Sequence, residues 1–255
     1  MDKKKIIWIA GGSTGIGRAT AIEFIKNGWT VIINARNKDN LRILKDHTLK
    51  LNLEGVLYTF ECDNREKNDL ARMISNIEES IGAIDIAMLN AGTTHPYSDD
   101  FNLEYYNHVV KTNILSTLNC IDAVYPFFKN RKSGHISIVS SMVGFRGLPR
   151  GSAYTMTKAA LINLAESLNF DLKKIGIRVS LINPGFIKTP LTDKNTFPMP
   201  FLKSPEYAAE KIYNGLIKSK KFEIIFPYSW FIIMKTLRIL PYRIYFYIVK
   251  KFTGL

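Results

Sequence analysis

The stretch Ile6-Ile7-Trp8-Ile9-Ala10-Gly11-Gly12-Ser13-Thr14-Gly15-Ile16-Gly17 decides the fold. Residues 6–10 are a short apolar run of the kind a buried strand uses, and glycines follow at once. From about Gly15 an amphipathic helix is expected, with Ile16, Ala19, Ile22, Phe24 and Ile25 on its buried side. Asn27-Gly28 ends it, and Thr30 to Asn34 reads as a second strand. The result is a β-turn-α-β unit with a glycine-rich first turn. Such a turn lets backbone approach a pyrophosphate, and the helix N-terminus adds unpaired N–H groups and a positive dipole. Glycines alone also make an ordinary tight turn; the strand-to-helix context favours nucleotide binding.

Working outward, strands and helices keep alternating. Further helices are expected near 38–49, 64–81, 102–129, 152–174 and 204–219, and further strands near 55–61, 84–89, 135–140, 176–182 and 222–226. Ser204-Pro205-Glu206 is a helix start, with a capping serine and proline at the first helical position. This alternation implies an α/β fold: a parallel seven-stranded sheet with helices on both faces. Cofactor and substrate are expected to meet at the carboxyl ends of its strands.

Composition bounds the partners. The chain has 255 residues, is 46% hydrophobic and carries a formal net charge of +13, so a sizeable core is affordable and anionic partners come into view. Two cysteines, Cys62 and Cys120, make no disulfide framework and suit a reducing, cytoplasmic compartment. The apolar run after Met1-Asp2-Lys3-Lys4-Lys5 is too short for a signal peptide. The charge is dispersed and no nucleic-acid module accompanies it, so no nucleic acid is expected, and no metal.

The chemistry is expected between Gly134 and Lys158. A buried strand near Ile136–Val139 leads to Ser140 and Ser141, then a glycine-rich loop, then a helix from about Ser152. Tyr154 and Lys158 lie one turn apart on that helix, and a cation so close is expected to lower the tyrosine pKa. A hydroxyl, a phenol and an ammonium at a strand's end suit proton transfer to a carbonyl oxygen. A tyrosine and a lysine at this spacing are more often plain surface residues, so the pair depends on its surroundings.

Those surroundings fit. Arg36 follows the second strand, where an acidic residue would hold a ribose hydroxyl; arginine suits a 2′-phosphate and favours NADP over NAD. Asp63 is placed to accept from an adenine amino group, or else serves as a turn or cap residue. Asn90-Ala91-Gly92 leaves room for a flat ring, Asn183-Pro184-Gly185 breaks the chain after the sixth strand, and Ile187 and Thr189 fall where a nicotinamide amide could be held. Asn113, inside a helical pattern, is either an ordinary helix residue or the lock of a local distortion or a water.

Together these residues resemble the short-chain dehydrogenase/reductase family over nearly the whole chain up to about residue 226. The family's Thr-Gly-x-x-x-Gly-x-Gly is met by Ala10 to Gly17 with alanine for threonine, which removes a hydroxyl that ties two loops. Asn90-Ala91-Gly92, Tyr154 to Lys158, Ser141 thirteen residues before the tyrosine, Asn113 and Pro184-Gly185 match in order. The resemblance implies a three-layer, doubly wound Rossmann fold and an NADP(H)-dependent oxidoreductase acting on a carbonyl/secondary alcohol pair. It implies catalytic roles for Asn113, Ser141, Tyr154 and Lys158. Tyr154 would exchange the proton, Lys158 would tune it and hold the ribose, Ser141 would polarise the carbonyl, and Asn113 would hold a water. Cofactor contacts are implied for Gly11, Ser13, Thr14, Gly15, Ile16, Gly17, Arg36, Asp63, Asn64, Asn90, Ala91, Gly92, Tyr154, Lys158, Pro184, Gly185, Ile187 and Thr189. Substrate contacts are implied for Ser141, Met142, Phe145 and Tyr154, and a homo-oligomer, dimer or tetramer, is expected. The competing class is a nucleotide-sensing or membrane-peripheral scaffold that keeps the fold without chemistry.

Residues 1–228 are expected to form the catalytic domain, and 229–255 a basic, aromatic helical extension. No acidic residue follows Glu223, and charges interrupt every apolar run well short of the roughly 20 residues needed to span a bilayer. Three placements fit this tail: packed on the core or another subunit, laid in the headgroup region of an anionic membrane at its inner face, or roofing the site. The last two would suit a hydrophobic, lipid-, sterol- or ketone-like substrate. Phe197, Phe201 and Leu202 are lid candidates, and Met142, Val143, Phe145 and Leu148 either line a non-polar pocket or pack on a neighbouring helix.

Overall fold

A computed structural model describes residues 4–94, 101–195 and 197–254. Seven parallel strands form one sheet in the order β3-β2-β1-β4-β5-β6-β7. They are β1 (Ile6–Ala10), β2 (Thr30–Ala35), β3 (Val56–Glu61), β4 (Ile86–Leu89), β5 (Gly134–Val139), β6 (Ile177–Pro184) and β7 (Glu223–Phe226). The expected three-layer, doubly wound fold is present. The helices α1 (Gly15–Lys26), α2 (Lys38–Lys50) and α7 (Pro205–Tyr213) cover one face, with Phe24, Leu44 and Ile212 in its core. On the other face lie α3 (Lys67–Ser80), α5 (Ser116–Arg131) and α6 (Ser152–Lys173), packed through Ile74, Phe128 and Leu161. Burial on both sides explains why the central strands read as unbroken apolar runs.

Caps set several helix starts. Asn37 accepts from Asn40 N at 2.8 Å to begin α2, and Ser204 accepts from Tyr207 N at 3.2 Å to begin α7. The helix expected over 64–81 starts only at Lys67, because Asn64 is drawn inward to Asn34 at 2.6 Å. The single helix expected over 102–129 is two, α4 (Leu103–Val110) and α5, joined by a widened π-helical turn at Lys111–Leu115. Such a turn carries one residue too many for regular packing and re-aims the side chains it contains. The helix expected over 204–219 likewise gives way to a π-helical segment, Asn214–Ser219.

The tail folds as α8 (Tyr228–Ile239) and α9 (Tyr242–Thr253), with Pro241 at the break. No helix among the described residues is long and apolar enough to cross a membrane. The helix α8 packs beside β7 and buries Met234 completely, with Trp230, Phe231 and Leu237 against the same core. Between α9 and the loop after β5 lies a clasp. The Arg146 guanidinium sits over the rings of Tyr242 and Tyr245, at 4.6 and 4.3 Å, and donates to the Arg238 carbonyl at 2.8 Å. The Tyr245 hydroxyl donates to the Gly147 carbonyl.

Candidate active site

The carboxyl ends of the strands surround a cleft of about 360 Å³ at the crossover where β1 is flanked by β2 and β4. Lining it are Gly11 and Ser13 to Ile16 from the first turn, Arg36, Asp63 and Asn64 from the next two strand ends, and Asn90 to Gly92 after β4. Ser141, Tyr154, Lys158, Pro184, Gly185, Ile187 and Thr189 complete the set. Gly17 is not on the surface of the cleft. It lies beneath, where an added Cβ would stand 2.7 Å from Asn90 Nδ2.

The first turn is held closely. Gly11 has φ +75°, and a Cβ there would meet Ala91 Cα at 2.8 Å, so the turn and the β4 loop touch backbone to backbone. Asn90 Nδ2 donates to the Gly11 carbonyl at 2.8 Å. That bond ties the two loops in the absence of a hydroxyl at Ala10. Below the far end, a buried polar chain runs from Trp8 Nε1 to Asn34 Oδ1 (2.9 Å), then from Asn34 Nδ2 to Asn64 Oδ1 and the Cys62 carbonyl. It fixes the loop that presents Asp63. The Asp63 carboxylate is held by Arg65, with Nη2 at 2.7 Å from Oδ2. Burial pushes its pKa up, but the hydrogen bonds and charge of Arg65 outweigh this and hold it below the usual carboxylate range.

At the other end, Ser140 Oγ donates to the Lys158 carbonyl at 2.7 Å, pinning α6 to the end of β5. Lys158 is only 3% exposed, and its Nζ donates to the Val139 carbonyl at 2.9 Å. Ser141 Oγ donates to the Pro184 carbonyl at 3.2 Å and shares the cleft lining with Tyr154. The expected lowering of the tyrosine pKa is not what this arrangement gives. Burial pushes the Tyr154 phenol up to about 12 against the pull of the nearby Ser141 hydroxyl, and burial pushes Lys158 down to about 8. Lys158 Nζ stands 5.6 Å from the centre of the tyrosine ring and bonds a carbonyl, so desolvation outweighs attraction.

Asn113 lies in the π-helical turn and does not line the cleft. Its amide clasps the Thr93 backbone, accepting from N at 2.7 Å and donating to O at 3.0 Å, and also donates to Thr157 Oγ1 at 2.9 Å. It thereby joins α4–α5, the β4 loop and α6. A Cβ on Gly92 would stand 3.5 Å from Lys158 Nζ and 3.6 Å from Asn113 Oδ1, in ordinary van der Waals contact with both.

Two expected substrate contacts are not in the cleft. Met142 and Phe145 are buried in the core, 0% and 5% exposed, because the chain turns inward in a short 3-10 segment, Met142–Gly144. Phe145 meets Phe231 of the tail at 6.1 Å between ring centres instead. An aromatic rim stands beyond Gly185: Phe186 lies 5.5 Å from Trp230 and 6.2 Å from Phe197. Sequence reasoning missed Asn37, Asn40 and Arg65 around the Arg36 end, and Thr112, Ser116 and Leu191 at other points of the lining. The capping spacing Asn37 to Asn40 and the run Asp63-Asn64-Arg65 were the signals available. Among the described residues no cluster of His, Cys, Asp or Glu is suited to a metal.

A protein-family model described as short chain dehydrogenase matches residues 5–198. An uncharacterized oxidoreductase of Myxococcus xanthus is 32% identical over 91% of this chain and 91% of its own length. A 3-oxoacyl-(acyl-carrier-protein) reductase of Thermotoga maritima is 30% identical over 74% of this chain and 77% of its own. Among solved structures, ElxO with NADP bound superposes with a TM-score of 0.79 at 26% identity, over 89% of this chain and all of that one.

Proposed function

This chain belongs to the short-chain dehydrogenase family, and on that premise we propose that it is an NADP(H)-dependent reductase of hydrophobic carbonyl compounds. The catalytic unit spans residues 1–228, with 229–255 as its extension. The observation that carries the reading is one arrangement: Ser141 and Tyr154 on the wall of a cleft that begins on a glycine-rich turn, with Lys158 buried one helical turn from the tyrosine.

NADP, when bound, supplies or accepts the hydride. The residues of this chain fit it. The first turn offers backbone N–H groups at the start of α1 to a pyrophosphate, and Arg36 beside Asn37 and Asn40 suits a 2′-phosphate better than a bare ribose. NAD is the poorer match. Ser13, Thr14 and Ile16 line the pyrophosphate turn, Asp63 and Asn64 the adenine end, and Asn90, Ala91 and Gly92 the floor. Pro184, Gly185, Ile187 and Thr189 form the wall at the nicotinamide end.

Ser141 orients the substrate carbonyl, and Tyr154 donates the proton to its oxygen. A phenol held up near 12 keeps its proton throughout the physiological range, so the proton is present to be given to the carbonyl in reduction. Lys158, held near 8, gains or loses its charge close to working pH and tunes that donor. Asn113 is a positioning residue that fixes the β4 loop against α6. The aromatic rim of Phe186, Phe197 and Trp230 supports an apolar substrate. The free, buried cysteines Cys62 and Cys120 support a reducing cytoplasmic setting. Exposed Leu115, Leu118, Met156 and Phe170 on the α5–α6 side support a homo-oligomer through that face.

The test is NADPH oxidation followed over a panel of carbonyl compounds. Turnover that favours long-chain or ring ketones over small polar ones is the expected result. No turnover on any member, with NADPH still bound, would return the chain to the sensing class; equal rates across the panel would remove the hydrophobic preference.

A further inference from the structure

We propose that the outer surface of α8 and α9 seats the enzyme on an anionic lipid bilayer. The inference rests on the reductase reading only for its purpose, since a membrane is where an apolar substrate is met; its physical basis is separate.

The exposed side chains on this surface are unusual for a helix pair that closes a fold. Ile232 is 51% exposed and Ile239 81%; on α9 Phe246 is 62% and Phe252 83% exposed. Only Met234 and Tyr245 are fully buried from the two helices. The charges on the two helices have one sign. Residues 224–255 contain Lys235, Arg238, Arg243, Lys250 and Lys251 and no acid. Lys235 has Glu223 at 3.9 Å and two rings nearby, whereas the other four have no ion-pair partner among the described residues.

Those two facts select the occupant. A second copy docking face to face would bring the same four cations onto themselves, and no acidic group on the tail would relieve them. A nucleic acid would satisfy the charge but leave Ile239, Phe246 and Phe252 against water. A bilayer with anionic headgroups satisfies both, because aromatic and aliphatic groups enter the acyl boundary while lysine and arginine stay at phosphate level. The geometry also aims the site. Trp230, at the root of α8, would stand 3.0 Å from a Cβ on Gly185, a residue of the cleft wall, so the docking surface continues into the rim of the cleft. The α5–α6 face lies elsewhere and remains available for a partner subunit.

The experiment is co-sedimentation of the full chain with vesicles of phosphatidylcholine alone and of phosphatidylcholine with an equal part of phosphatidylglycerol. Binding to the second and not the first, reversed at high salt, is expected. Each cation near an anionic surface is worth roughly a fivefold change in partitioning. The triple variant Arg243→Gln, Lys250→Gln, Lys251→Gln should therefore bind about a hundredfold less. A second variant, Phe246→Ser with Phe252→Ser, should weaken binding with the charges intact. NADPH binding serves as the folding check for both, since none of these residues touches the cleft. No sedimentation with the anionic vesicles overturns the proposal, as does equal binding of wild type and both variants. A solution mass that halves in the variants also overturns it, because the surface is then a subunit interface. NADPH turnover without vesicle binding refutes the docking alone, and vesicle binding without turnover refutes the reductase reading alone.

Discussion

Replacing Lys158 with methionine should stabilise the protein at neutral pH and cease to do so in alkali. The lysine is 3% exposed, and burial pushes its pKa from 10.5 to about 8. A group whose folded pKa lies below its unfolded value holds its proton less well when folded. The folded state is therefore penalised below pH 8, and the penalty fades as pH rises toward 10.5. At about 1.4 kcal/mol per tenfold change in the proton equilibrium, the penalty comes to about 3 kcal/mol at pH 7 and about 1 kcal/mol at pH 10. Methionine removes it but also removes the hydrogen bond to the Val139 carbonyl, a loss of about 1 kcal/mol at any pH. The variant should then be more stable than wild type by about 2 kcal/mol at pH 7 and about equal at pH 10. Urea unfolding followed by the fluorescence of buried Trp8 and Trp29 measures this. The comparison belongs in a Tyr154→Phe background, so that the phenol, which rises from 10 to about 12 on burial, adds no slope of its own. A stability difference that does not change between pH 7 and pH 10 would refute the claim that burial depresses this ammonium.

Other outcomes are open to direct measurement. Tyr154→Phe should lower turnover by a factor of about 10² to 10⁴ while NADPH still binds, as read by steady-state kinetics and by nicotinamide fluorescence. Arg36→Ala should reduce the preference for NADPH over NADH roughly tenfold to a hundredfold, the worth of a charge-assisted phosphate contact, seen as a ratio of kcat/KM values. Asn113→Leu leaves the Thr93 N–H and carbonyl without their partner and takes one donor from Thr157, and should cost about 2–4 kcal/mol in denaturant unfolding. His135, buried and bonded to Ser180, is pushed from 6.5 down to about 3 by burial. The unfolded chain takes up that proton first, so stability falls as pH drops below 6.5, by about 3 kcal/mol at pH 4.5. His135→Gln should flatten that fall in an acid titration.

Much of the fold was legible because its signals are local. Glycine after an apolar run, repeated strand-to-helix alternation and the Ser204-Pro205 start each report a physical requirement within a few residues. Residues far apart in sequence, such as Gly11 and Ala91 or Ser141 and Pro184, came together in the cleft because both sit at strand ends of one parallel sheet. What stayed hidden depended on solvent and on direction. The spacing of Tyr154 and Lys158 gave their common face but not the dryness around them, and dryness sets both pKa values. Met142 and Phe145 follow Ser141 directly, yet the short 3-10 turn there sends them inward, which apolar character alone cannot distinguish from lining a pocket. The widened turn at Lys111–Leu115 leaves the helical pattern intact while shifting its phase.

The grip of Arg146 on α9 makes the protein's outermost layer and its serine loop a single mechanical body. Gly147 takes a hydrogen bond from Tyr245, and Arg146 is wedged between two tail rings, only five residues beyond Ser141. A tilt of the last helix would therefore be felt by the loop that carries Ser141, through these packed contacts rather than a flexible tether. Whatever the tail rests on would then act as a lever on the Ser141 end of the cleft.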